Sequence, residues 1–317
     1  MSDRLQHEPE LPPSHVAALA IRMDAGGLEA DEAVLRRKWR HNRFVRYLVL
    51  DPLNLIGVTI VLFAIMLAIV GPIVAPYDPT IPDYNYMGTG PIGPHLFGTD
   101  QIGDDIFSRV LAGARLSMGV AAVVLAVAVT IGLTLGSIAG AAGGWLDEII
   151  MRITDMFLAF PVIILALAIA ASLGPSLSSS MIALSAVFWP WYARLMRGQV
   201  LSIKQKEYVE AAHSLGASRR HIMWRHILPN CLSPIVVEMS LDFGYAILAT
   251  SSLSFIGLGA QPPSPEWGAM IVAGRDYIRD AWWISTFPGI ALTLTVAGFN
   301  LLGDGLRDAL DPRAVRP

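Results

Sequence analysis

Charge is scarce in this chain. Asp, Glu, Lys and Arg make up 15% of its 317 residues, against about 25% in a soluble domain. Hydrophobic residues make up 54%, and the mean hydropathy is +0.52. That balance argues against a soluble domain and for a polytopic membrane protein. Cysteine is nearly absent as well. Cys231 stands alone, so an internal disulfide and a Cys-rich metal motif are both excluded. Lysine occurs only as Lys38, Lys204 and Lys206, and none of them follows a glycine. A P-loop needs Gly-Lys, because backbone N–H groups cradle phosphate while the lysine reaches its outer oxygens. The chain has no such motif, so any ATP and Mg chemistry that drives it takes place on another polypeptide. No HExxH string is present, and a net charge of -3 gives no broad basic field for nucleic acid.

What the sequence does contain is a series of long apolar runs. About 20 mostly apolar residues cross a bilayer as a helix. Leu55–Pro76 and Leu116–Ala142 carry no charge. Ile153–Leu173 carries only Asp155, near its start, and Pro161 can kink it. Ser179–Tyr192 is short but can borrow neighbours on either side. Leu232–Ile256 contains Glu238 and Asp242, and Ile284–Leu302 is uncharged. The expectation is an all-α polytopic protein of about six transmembrane helices. The first run begins near Leu53, far behind a secretory-signal position, so it is expected to stay in the membrane.

Lys and Arg in the flanks set orientation. Arg36, Arg37, Lys38, Arg40, Arg43 and Arg46 precede the first run. Arg194, Arg197, Lys204, Lys206, Arg219, Arg220 and Arg225 follow the fourth, and Arg307, Arg313 and Arg316 follow or end the sixth. With six spans these groups share one side, which is then cytoplasmic, together with both termini. Residues 1–30 read as a polar tail, and 28–50 as a basic helix, either lying on the membrane surface or solvated. Gly132, Gly136, Gly140 and Gly144 recur every fourth residue in or just after the second run, a stripe suited to close helix packing.

Against this background, EYVEAAHSLGASRRHIMWRHILPN at 207–230 is unusually polar. Glu207 to Leu215 is helix-permissive, and Gly216 can stop the helix in the left-handed conformation. Ser218 can cap a second helix, with Ile222, Met223, His226 and Ile227 on one face. Pro229 is expected to limit its continuation. The small residues Ala211 and Ala212 let the first helix sit in a groove, and Glu210 offers a carboxylate to a basic partner. A loop that only faces solvent has no need of this shape.

These residues resemble the EAA signature of permease subunits in ABC-type importers. The matching positions are Glu210, Ala211, Ala212, Gly216, Leu228 and Pro229, and the HILPN ending is similar to the dipeptide and oligopeptide branch. LFGTDQIGDDIFSRVLAGARLS at 96–117 is similar to that branch's extracytoplasmic signature, through Gly98, Thr99, Asp100, Ser108, Arg109 and Arg115. Asp104 stands where the branch usually has Arg. The stretches from Gly144 to Pro161, from Ala249 to Ile271 and from Leu301 to Arg313 fit as well.

The resemblance implies a type I importer transmembrane domain. Residues 1–52 would be a cytoplasmic tail, 53–112 a first span with its extracytoplasmic loop, and 113–312 the transmembrane domain proper, with the coupling loop at 200–231. It implies no cofactor and no catalytic residue on this chain, and ATP and Mg on partner ATPases. Glu207, Glu210, Ala211, Ala212 and Gly216 would dock the ATPase, and Leu228 and Pro229 would be structural. The implied partners are a second homologous permease, one or two ABC ATPases, an extracytoplasmic substrate-binding protein, a peptide substrate and the inner-membrane bilayer.

Glu238 and Asp242, one turn apart, are candidates for lining the pathway, for pairing with Arg of a neighbouring helix, or for a cytoplasmic-end position in water. An ion- or proton-coupled secondary transporter that uses them as a relay is the alternative reading. Asp155 is expected to pair with Arg152. His213, His221 and His226 do not have the spacing of a metal set. Ser251, Ser252 and Ser254 are expected to bond to backbone rather than to act as nucleophiles.

Overall fold

The computed structural model describes residues 51–91 and 93–310. The tail at 1–50, with its basic cluster and the helix expected at 28–50, lies outside the described residues, as do Arg313 and Arg316. Asp51 begins the ordered chain by capping α1, Pro52–Val74, where its carboxylate accepts from Leu53 N at 3.0 Å. Pro52, the first helical residue, needs no N–H there. A loop carrying a short 3₁₀ turn, Tyr84–Tyr86, leads to Asp105, which caps α2, Ile106–Ala142, by accepting from Ser108 N at 2.7 Å.

Beyond α2 come α3, Gly144–Leu158, and α4, Val162–Leu173, then α5, Leu177–Lys204, capped by Ser176. The short helices α6, Glu207–Ser214, and α7, Arg219–Ile222, follow. A π-turn at Met223–Ile227 joins α7 to α8, Leu228–Phe255. Finally α9, Trp267–Arg275, and α10, Trp283–Leu310, complete the order. Among the described residues there is no strand beyond one isolated bridge between Thr99 and Asp105.

Among the described residues four helices are long and apolar enough to cross a bilayer: α1, α2, the continuous rod Arg219–Phe255, and α10. The α3–α4 pair makes a fifth only if it counts as one broken span. The six expected runs therefore need two amendments. Ile153–Leu173 is not one helix: α3 and α4 meet at 88° across Ala159–Pro161. Pro161, without an N–H and restricting the residue before it, breaks the helix instead of merely kinking it. Ser179–Tyr192 does belong to a helix of 28 residues, α5. Its serines, Trp189, Pro190 and Tyr192 are buried against protein, so it is less apolar than the four lipid-compatible helices.

The lipid-compatible character of α1 is visible in its exposure. Leu62, Ile69 and Ile73 are 61%, 65% and 82% exposed in the isolated chain. Such a stripe would be unfavourable in water but suits hydrocarbon. The core lies instead along the α2–α5 seam. A Cβ on Gly132 would stand 2.4 Å from Tyr192 Cβ, and one on Gly136 2.4 Å from the Ala193 carbonyl oxygen. On Gly140 it would stand 2.8 Å from Val200 Cβ. Three of the four striped glycines thus let α5 approach the α2 backbone. Gly144 does not belong with them: it sits in the turn after α2 at φ +59, with nothing nearby.

Substituting Gly136→Leu should force α2 and α5 apart and cost about 1–3 kcal/mol, the usual penalty of overpacking. Gly119→Ala on the same helix, where a Cβ meets nothing within 4 Å, should be neutral. Thermal unfolding of the two purified variants in detergent checks this, and equal melting temperatures would refute the seam.

Candidate translocation and docking surfaces

The residues of the 96–117 signature build a tight knot where the loop meets α2. Thr99 is fully buried; its hydroxyl accepts from Thr89 N at 3.0 Å and donates to the Tyr86 carbonyl. The indole of Trp283 donates to the Thr99 carbonyl at 3.0 Å. Gly98, at φ +75, leaves room for that indole, 2.7 Å from where a Cβ would be. Asp100 accepts from Ile102 N at 3.0 Å and Asp104 N at 2.9 Å. Burial pushes its carboxyl above the ordinary range, partly offset by the Ile102 N–H and the Arg109 charge. Asp104 forms a buried ion pair with Arg109, which also donates to the Pro263 carbonyl at 3.4 Å. The acid at 104 therefore neutralises the signature's own arginine. Ser108 accepts from Tyr77 N at 3.1 Å.

His95 was not singled out in the sequence. It lies buried, with Nδ1 2.8 Å from Asp105 and its ring against Tyr77 and Tyr86 at 4.7 and 4.9 Å. Ser108 and Arg109 thus hold the loop to α2. Arg115 does not join them; it is exposed one turn and a half further along the helix.

A second missed residue is Glu266, which has no exposed surface. It caps α9 by accepting from Ala269 N at 2.9 Å, and it accepts from Ser251 Oγ at 3.0 Å. A Pro-Glu-Trp string before a helical run carries that capping signal. Ser252 bonds to backbone at the Leu248 carbonyl and Ser254 accepts from Ala260 N, as expected, whereas Ser251 donates to the Glu266 side chain.

Glu238 and Asp242 on α8 both face α5. Glu238 accepts from the Trp191 indole at 2.8 Å, and Asp242 from the Tyr192 hydroxyl at 2.6 Å. Neighbouring aromatic residues thus take two carboxylates one turn apart, in place of an arginine. Trp191 and Glu238 lie on the open side of this seam, while Tyr192 is fully buried.

Nearer the end of α5, Arg197 grips Asp147 through two bonds of 2.5 and 2.6 Å, and Arg194 pairs with Asp155 at 2.5 Å. Asp155 therefore does not pair with Arg152, whose guanidinium lies 3.8 Å from Glu148 on the same exposed helix face. Lys204 donates to the Gly140 and Ala141 carbonyls at 3.1 and 3.2 Å and so closes the C-terminus of α2.

The 207–230 segment forms a helical hairpin. Val209 is buried and Ala212 half-buried against the body, while Glu207, Glu210 and Ala211 face outward. Gly216 takes φ +83, and Ser218 accepts from His221 N at 3.3 Å, so stop and cap fall where the sequence puts them. Leu215 at the tip is 88% exposed, with Tyr208 at 45% and Trp224 at 67%. Neither Glu207 nor Glu210 has an ion pair among the described residues. The buried face carries Ile222 and Ile227, with Met223 and His226 half-buried, as the spacing indicates. Pro229 does not interrupt the second helix. The π-turn, in which Leu228 N reaches back to the Met223 carbonyl, widens the helix just before Pro229, and the rod runs on to Phe255.

Residues 132–316 match the family described as binding-protein-dependent transport system inner membrane component, and 39–91 match the N-terminal TM domain of oligopeptide transport permease C. The chain is 49% identical, over 83% of its length and 89% of the relative's, to the probable D,D-dipeptide transport system permease protein DdpC of Escherichia coli K12. It is 46% identical to the dipeptide transport system permease protein DppC of Alkalihalophilus pseudofirmus, over 83% of this chain and 86% of that one. It is 47% identical to the glutathione transport system permease protein GsiD of Shigella flexneri serotype 5b, over 81% and 86%. A chain of the inward-facing MetNI methionine ABC transporter shares the fold, with a TM-score of 0.53 at 18% identity, over 64% of this chain and 96% of that one.

Replacing Asp104 by Leu strands the Arg109 charge in a buried site and should destabilise the loop by about 3–5 kcal/mol. Adding Arg109→Met should recover most of that loss. Limited proteolysis of the 75–105 loop in the single and double variants measures both. Equal sensitivity in the two would show that the pair is not what holds the loop.

Proposed function

Because the chain belongs to the family of binding-protein-dependent transport system inner-membrane components, in its dipeptide and oligopeptide permease branch, we propose that it forms half of the translocation pathway of an ATP-driven importer. A second, homologous permease supplies the other half. An extracytoplasmic binding protein delivers a dipeptide or short oligopeptide. One or two separate ATPase subunits hold ATP and Mg and hydrolyse the nucleotide, and this chain is itself non-catalytic. The relatives named for dipeptides, D,D-dipeptides and glutathione support a peptide substrate. The chain is a multi-pass inner-membrane protein, and the basic flanks favour both termini in the cytoplasm.

The observation that carries the coupling role is the hairpin at 207–222. It presents an exposed leucine at its tip, an exposed tyrosine and two carboxylates with no ion pair of their own among the described residues. A solvated loop gains nothing from exposing Leu215, whereas a docking helix gains an apolar anchor ringed by charge. Glu210 and Glu207 engage basic groups of the ATPase, and Ala211 and Ala212 let α6 lie close in its groove. Gly216 fixes the turn, and the continuous rod from Arg219 to Phe255 carries the movement into the membrane.

ATP closes the ATPase pair, the hairpin moves with its groove, and the α5–α8 seam opens or closes the cavity. Trp191 and Glu238 stand on the open side of that seam and line the path, with Asp242 held behind them by Tyr192. An ion-coupled carrier has no need of a docking hairpin, so the pathway reading is favoured over the ion-coupled one.

Glu210→Arg should lower ATP-dependent peptide uptake into vesicles by at least about tenfold, since one buried charge-assisted contact is worth that much. The permease should remain in the membrane while losing its ATPase on purification. Undiminished uptake by this variant would sink the docking role. Uptake that continues without ATP but collapses with the proton gradient would favour the ion-coupled reading.

A further inference from the structure

A cavity of about 630 Å³ lies between α1, α2 and α10, away from both the hairpin and the α5–α8 seam. Its origin is geometric. Near its start α1 sits close on α10, where a Cβ on Gly57 would lie 2.6 Å from Leu301 Cβ and one on Gly298 2.5 Å from the Ile60 side chain. Near its end it sits close on α2, where a Cβ on Gly71 would lie 2.5 Å from the Leu111 carbonyl oxygen. Between these two seats α1 stands off, and Phe63, Leu67 and Val70 face Ala291 and Leu294 of α10 across the gap. Phe97, stacked on Phe287 at 4.0 Å, forms part of the wall.

The walls define the ligand by what they withhold. Among the described residues Thr59 and Thr295 are the only lining residues with hydroxyls, and each donates within its own helix, to Leu55 at 2.7 Å and to Ala291 at 2.8 Å. Trp267 also lines the gap, and its indole N–H is committed to the Val110 carbonyl at 3.0 Å. No lining side chain has a donor left to offer, so a polar ligand would lose its own hydration without compensation. All three helices around the gap are long and apolar enough to span the membrane, so it opens toward hydrocarbon. Protein interiors pack densely, and an apolar void of this size is not left empty beside a bilayer.

We propose that this cavity is a binding site for one acyl chain of a membrane phospholipid, which fills the wedge and holds α1 against α2 and α10. The site does not depend on the docking hairpin or on the substrate.

The test uses the full chain in phospholipid vesicles doped with a phosphatidylcholine that carries a diazirine midway along one acyl chain. Photolysis and peptide mapping follow. Adducts should concentrate on Ala64, Leu67 and Leu111, which line the gap and are shielded from bulk lipid. Ala291→Phe, which fills the gap, should lower them about tenfold, the effect of losing burial of about two methylenes. Adducts on outward-facing Leu62 and Ile69 should be unchanged, and Leu67→Phe serves if the first variant does not fold. Labelling spread evenly around α1 in the unmodified chain would mean bulk lipid only and would overturn the proposal. So would unlabelled walls together with a crosslink from a photoreactive residue at position 63 to another polypeptide, which would give the cavity to a protein helix.

Discussion

The close seat of α5 on α2 sets the position of nearly every polar contact inside the membrane portion of this protein. It exists because Gly132, Gly136 and Gly140 have no side chains to hold the helices apart. In lipid no hydrophobic force drives helices together, so close van der Waals contact of this kind is a principal source of association. Once α5 is fixed there, Tyr192 and Trp191 are aimed at Asp242 and Glu238, and Arg194 and Arg197 at Asp155 and Asp147. Lys204 reaches the last carbonyls of α2. One stripe of missing side chains therefore organises the acid-bearing face of α8, the anchoring of α3 and the end of the longest helix.

The two ends of the molecule solve different problems. At the 75–105 loop, buried acids are each answered locally. Asp105 caps α2 and takes His95, Asp104 takes Arg109, and Asp100 gathers backbone N–H groups. Such a knot has little freedom, because breaking any member would leave a charge in low dielectric. The 207–222 hairpin is built in the opposite way. Its carboxylates and its most exposed leucine look outward, and only Val209, Ala212 and the far face tie it to the body. A tightly bonded knot at one end and an outward-facing hairpin at the other are joined by rods of about 28–37 residues.

Much of this was legible in the sequence. The apolar runs marked α1, α2, α8 and α10 directly, since period and length suffice when no water competes for the backbone. Gly216 and Ser218 marked the hairpin turn and cap because those signals are local. The break at Pro161 was underestimated. A proline in an apolar run signals a local disturbance, but neither the 88° angle nor the pairing of Asp147 and Asp155 on α3 with Arg197 and Arg194 on α5 has a local signal. Pro229 was misjudged in the other direction, because the π-turn before it absorbs the register change.

His95 and Glu266 escaped notice because their meaning lies in partners distant in sequence or across a loop: Tyr77, Asp105, Ser117 and Ser251. By itself the sequence determined the class of the protein, the helices α1, α2, α8 and α10, the place of its hairpin and the absence of a nucleotide-binding motif, all of which follow from composition, period and short-range backbone signals. Only the tertiary structure decided which acid meets which donor, which helix breaks and where a cavity is left. Those outcomes depend on helix faces brought together across 40 to 150 residues of chain, and no local signal fixes the angle at which two helices meet.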